Sequence, residues 1–77
     1  MNKARRIKLA AIRDQIEELM EELQGILDEE QEAMDNVPES LQGSERYEAM
    51  ENAVSTMEDA FSCLSDAIDN LEEVLER

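Results

Sequence analysis

The chain contains no histidine, no tryptophan, one cysteine, one proline and two glycines, and its only aromatic residues are Phe61 and Tyr47. Each shortage excludes something. General acid–base and nucleophilic sites lean on His, on an activated Cys or on a buried Lys. A chain without His is therefore read as a non-enzyme that needs no cofactor. With one Cys and no His, neither a disulfide nor a Cys/His zinc site can be assembled. A di-iron centre of the Glu-x-x-His kind is excluded on the same ground. Cys63 falls at an outer heptad position and reads as a spectator thiol. A lone thiol suits a reducing compartment, so a cytoplasmic location is expected.

Long apolar runs are also missing. No stretch approaches the roughly 18 apolar residues of a membrane span, so no membrane partner is expected. The opening MNKARRIKLAAIRD has a basic lead but too short an apolar run for a signal peptide. Chain breakers are confined to Gly25, Pro38 and Gly43, which leaves room for two long helices.

What is present is charge and aliphatic bulk. Twenty-one acids stand against seven bases, a net charge of −14, yet 42% of residues are apolar. That is too many for a chain held disordered by self-repulsion. Leu, Ile, Met, Ala and Val supply the apolar content, a helix-forming set. A domain this short draws only about 3–5 kcal/mol from a private core and usually needs a staple. With disulfides and zinc excluded, self-association is the one remaining.

From Tyr47 onward the sequence divides into sevens: YEAMENA, VSTMEDA, FSCLSDA, IDNLEEV, LER. Tyr47, Met50, Val54, Met57, Phe61, Leu64, Ile68, Leu71 and Leu75 alternate in steps of three and four, the spacing of a helix–helix seam. Ala53, Ala60, Ala67 and Val74 form a small-residue column beside it, wide enough to admit a further helix. The first segment carries the stripe Leu9, Ile12, Ile16, Leu19, Leu23, Ile26, Ala33 and Val37, widened by Met20, Leu27 and Met34 and interrupted by Glu30. Glu30 reads as a tolerated seam interruption rather than a metal ligand. The acidic run Asp28 to Asp35 lacks the central Gly of a calcium loop and reads as a solvated helix face.

These patterns predict one domain over 1–77, with a helix from about Lys3 to Asp35, a loop over about 36–43 and a second helix from about Ser44 to the end. Pro38 forbids a continuous helix, Gly43 suits a left-handed or turn position, and Ser44 before Glu45 reads as an N-cap. Pro38 to Leu41 is expected to form a helical turn of its own. Gly25 marks a candidate bend. Two helices of near-equal length, about 50 Å each, make an antiparallel hairpin. Their apolar faces are three positions wide, and one hairpin cannot cover them. The expected architecture is therefore all-α, a homodimer forming a four-helix bundle, with a longer helical oligomer as the alternative. The seam residues expected to form the core or dimer contact are Ile16, Leu19, Leu23, Ile26, Val54, Met57, Phe61, Leu64, Ile68 and Leu71.

Charge is unevenly placed. Lys3, Arg5, Arg6, Lys8 and Arg13 occupy the first thirteen residues without an acid among them. Hairpin pairing brings them beside Asp66, Asp69, Glu72, Glu73 and Glu76, where ion pairs worth about 0–1 kcal/mol each are expected. Two chains would bring about 28 negative charges onto the rod, roughly one per 1.8 Å and close to the about 1.7 Å per charge of duplex DNA. Glu17, Glu18, Glu21, Glu22, Asp28, Glu29, Glu32, Glu48, Glu51, Glu58 and Asp59 would then form a partner-binding acidic surface competing for a basic groove. Acidic faces that only keep a bundle soluble are the competing reading.

The loop Asp35, Asn36, Pro38, Glu39, Ser40, Leu41, Gln42, followed by Glu45, Arg46, Glu48, Ala49, Met50, resembles an uncharacterised group of short acidic helical proteins encoded by phages and mobile elements of low-GC Gram-positive bacteria. The likeness spans about two-thirds of the chain, is most specific at the loop and implies no known activity. Small acidic phage proteins of this kind resemble inhibitors of host defence nucleases and DNA-handling enzymes. The resemblance therefore implies a host-cell cytoplasmic inhibitor that binds a host protein with a basic surface, such as a CRISPR nuclease, in the manner of a DNA mimic. The alternative is a structural or assembly protein that docks a partner through the apolar edges Met20, Leu27 and Met34. The net charge argues against direct nucleic-acid binding.

Overall fold

A computed structural model describes all 77 residues. Two helices, α1 (Lys3–Asp35) and α2 (Glu45–Leu75), are joined by a 3₁₀ turn at Glu39–Leu41. They lie against each other as an antiparallel hairpin measuring 59 × 15 × 14 Å. Its radius of gyration is 17.5 Å, against about 11.5 Å for a compact chain of this length. The molecule is a rod, one helix pair wide.

Both helix starts are capped by side chains. Asn2 accepts from the Arg5 amide at 2.9 Å, and Ser44 accepts from the Tyr47 amide at 3.2 Å. Each satisfies an amide that the helix itself leaves without a partner. Glu45 and Glu48 lie in the first turn of α2, where the helix dipole favours acids. The reversal from α1 to α2 uses tight 3₁₀ bonds, Leu41 N to Pro38 O at 2.9 Å and Ser44 N to Leu41 O at 3.1 Å. Of the two roles open to Gly43, left-handed or turn, it takes the turn, since no glycine has positive φ. Gly43 is simply part of the turn.

Gly25 lies inside an unbroken α1, and a Cβ built there meets nothing within 4 Å. Gly25→Ala is thus expected to stabilise the chain by about 0.5–1 kcal/mol, through the smaller entropy an alanine loses. Thermal unfolding followed by circular dichroism measures this, and a destabilised variant would mean another backbone lies against position 25.

The hairpin core is thin. Only Leu27, Met34, Val54 and Ile68 are buried, with Tyr47, Met50, Met57 and Phe61 packed around the first three. On α1, three columns run at seven-residue spacing. Leu9, Ile16, Leu23 and Glu30 form the middle, Arg13, Met20, Leu27 and Met34 one flank, and Ile12, Leu19, Ile26 and Ala33 the other. Either flank, joined to the middle column, gives a heptad seam. Periodicity alone puts the Ile12 flank in the seam, with Met20, Leu27 and Met34 as its extension. The structure reverses the two. The Met20, Leu27, Met34 flank meets α2, whereas Ile12, Leu19 and Ile26 are 47%, 56% and 54% exposed.

Candidate interaction surface

On α2 the Val54, Phe61, Ile68 column is turned toward α1, the Met57, Leu64, Leu71 column is half-buried, and Ala53 and Ala60 are exposed. At 3.6 residues per turn, the half-buried middle columns of both helices and the two exposed apolar columns fall on one side of the hairpin. That side is an apolar face two columns wide on each helix, interrupted by the half-buried Glu30, which no salt bridge reaches.

The opposite side is polar. Between the helices runs a shallow hollow of about 320 Å³, floored by Leu27, Val54 and Phe61 and rimmed by Gln24, Asp28, Gln31, Glu58 and Ser62. Gln24 donates to Asp28 at 2.8 Å and Gln31 to Asp35 at 3.2 Å, which stiffens the α1 rim. All the acids singled out from the sequence are exposed: Glu17, Glu18, Glu21, Glu22, Asp28, Glu29, Glu32, Glu48, Glu51, Glu58 and Asp59. Helical geometry gathers Glu17, Glu21, Asp28, Glu48, Glu51 and Glu58 on the polar face. Glu18, Glu22, Glu29 and Glu32 line the outer edge of α1, and Asp59 the outer edge of α2.

The charge is concentrated lengthwise as well. Residues 15–65 hold fifteen acids and only Arg46 as a cation, which is the whole net charge of −14. The remaining open end balances six cations, Lys3, Arg5, Arg6, Lys8, Arg13 and Arg77, against six acids, Asp14, Asp66, Asp69, Glu72, Glu73 and Glu76. The ion pairs expected across that end do not form. Arg13 pairs with its neighbour Asp14 at 3.1 Å, and Arg77, just past the end of α2, with Glu73 at 2.9 Å, so neither pair crosses between the helices.

Arg6 instead donates to the carbonyls of Leu75 and Arg77, both at 2.6 Å. The last carbonyls of a helix lack intrahelical partners and carry the negative end of its dipole, so a guanidinium there acts as a cap from the neighbouring helix. Sequence inspection missed this role because the acceptors are backbone atoms. Arg6→Gln is expected to cost about 1 kcal/mol and to fray the last turn of α2. Hydrogen exchange at Val74 to Arg77 reads this, and unchanged exchange would mean that the contact carries no energy.

A second hollow, of about 480 Å³, lies at the loop end among Val37, Pro38, Leu41, Tyr47 and Met50, with Arg46 at its edge. Its signal in the sequence was Leu41, an apolar residue in a loop and 54% exposed. The apolar docking edges proposed from sequence need correction. Leu27 and Met34 are buried between the helices and Met20 is half-buried, so the exposed apolar edge of the α1 stripe is Ile12, Leu19 and Ile26 instead. Cys63 is free and exposed, as its outer heptad position requires.

No helix is long and apolar enough to cross a membrane. No protein-family model, curated protein or solved structure matches the chain.

Proposed function

We propose that this chain is a non-catalytic protein-binding module, a homodimer joined through its apolar faces that presents its acidic surface to a basic, nucleic-acid-binding surface of another protein. The reading rests on one observation. Apolar side chains gather on one face, and Glu17, Glu21, Asp28, Glu48, Glu51 and Glu58 on the opposite face, of a rod that buries only four residues on its own. The apolar face supplies an assembly contact while the acidic face stays in water, so the two interactions do not compete.

Two chains side by side carry twice −14 along 59 Å, about one net charge per 2.1 Å, near the about 1.7 Å of duplex DNA. Such a rod would steer toward, and block, a groove built for a nucleic-acid backbone. The phage and mobile-element likeness of the loop gives this a setting, inhibition of a host defence or DNA-handling protein in the host cytoplasm.

The test uses the complex recovered from a Gram-positive host. Binding is expected to weaken at least 10-fold between 0.05 and 0.5 M salt, on the order expected for many exposed charge pairs, and to be competed by duplex DNA. Glu17, Glu21 and Asp28 to Lys should slow association on the order of 10-fold while leaving the dimer mass unchanged. A complex that survives about 1 M salt and ignores these reversals, yet is lost with Leu19→Ala, would instead establish an assembly protein that docks through its apolar ridge.

A further inference from the structure

We infer that the apolar face is covered by a second copy placed head to tail, with Leu19 of each chain facing Leu19 of the other at the two-fold axis and the loops at opposite ends of the bundle. This deepens the dimer reading above and rests on it. The single chain exposes 5820 Å², whereas a monomeric domain of this mass exposes about 4,800 Å². The excess, about 1,000 Å², is close to the roughly 800 Å² per partner that a stable interface buries.

Charge then selects the orientation. With the loops together, both copies place all fourteen excess charges in the same part of the rod, and like charges repel along its length. Head to tail, the neutral open end of one copy lies beside the acidic loop end of the other. A two-fold through Leu19 sets Ile12 against Ile26 of the second copy and, one column outward, Lys8 against Glu29 and Gln15 against Glu22. The column that flanks the exposed ridge, Lys8, Gln15, Glu22 and Glu29, is thus self-complementary only when reversed. The exposed Ala53 and Ala60 on α2 allow the second helix pair to approach closely.

Cysteine cross-linking decides this in the full chain carrying Cys63→Ser. Under mild oxidation Leu19→Cys should form a covalent dimer, and so should a mixture of Ile12→Cys with Ile26→Cys, while Leu19→Cys mixed with Ala60→Cys should give no more heterodimer than chance. Lys8→Glu should weaken the dimer roughly 10-fold at low salt, since two symmetry-related pairs turn repulsive, and Glu29→Lys in the same chain should restore it. A monomeric mass for the unmodified chain across the micromolar range, by sedimentation, would overturn both the dimer and its orientation. A dimer in which Leu19→Cys links to Ala60→Cys but not to itself would overturn the orientation alone, in favour of loops together. A dimer linked by neither pair would overturn the use of this face.

Discussion

Replacing Leu27 with Ala is expected to destabilise the protein by about 2–5 kcal/mol, the cost of deleting a buried leucine's methyl groups and leaving a partly unfilled cavity. Leu27 is only 6% exposed and lies in the cluster with Met34 and Val54, against which Tyr47, Met50, Met57 and Phe61 pack. With four buried residues in the whole chain, few neighbours can relax into the space. A small single core supplies only about 3–5 kcal/mol in total, so the variant should lose most of its helicity in dilute solution. Urea unfolding followed by circular dichroism gives the number. Cys63→Ser, at an exposed outer position, is the matched control and should stay within about 0.5 kcal/mol of the parent. If Leu27→Ala cost no more than that control, the two helices would not be packed in this register.

Replacing Leu19 with Glu should have the opposite profile. In the single hairpin Leu19 is 56% exposed, so a carboxylate there meets water and the helices keep their pairing. In the dimer the substitution buries one unpaired carboxylate per chain, and an uncompensated buried charge costs about 3–5 kcal/mol. The dimer dissociation constant should then rise at least 100-fold, on the order of 3 kcal/mol by the usual conversion. Sedimentation should show a lighter species at concentrations where the parent is dimeric. Helicity per residue should change little at high protein concentration, while stability becomes far less dependent on concentration. Self-association of Leu19→Glu equal to that of the parent would mean that copies meet through some other surface. Together the two substitutions separate the contact inside one hairpin from the contact between hairpins.

The helix bounds, the Ser44 cap and the 3₁₀ turn after Pro38 were legible because they depend on local chemistry: propensity, a hydroxyl before an acidic first turn, and an imide that donates no hydrogen bond. The α2 seam from Tyr47 to Leu75 was legible because its heptad repeat runs unbroken. The exposure of the eleven acids followed from their positions off the apolar stripes. The arrangement around α1 was not legible. Ile12, Leu19 and Ile26 are as apolar as Met20, Leu27 and Met34 and stand at the same seven-residue spacing, one position earlier in the chain, so periodicity fits both columns equally. Which column turns inward depends on the direction from which α2 arrives, set by the path of the loop and the packing of Val54 and Ile68. The capping of α2 by Arg6 was hidden for a related reason, since it joins a side chain to carbonyls about seventy residues away. The sequence by itself therefore determined two long helices, their ends, their pairing and the amount of apolar surface, all set by local propensity and periodic burial. Only the tertiary structure decided which apolar column is spent inside the hairpin and which is left for a partner, because that choice belongs to the relative rotation of two helices and no single helix encodes it.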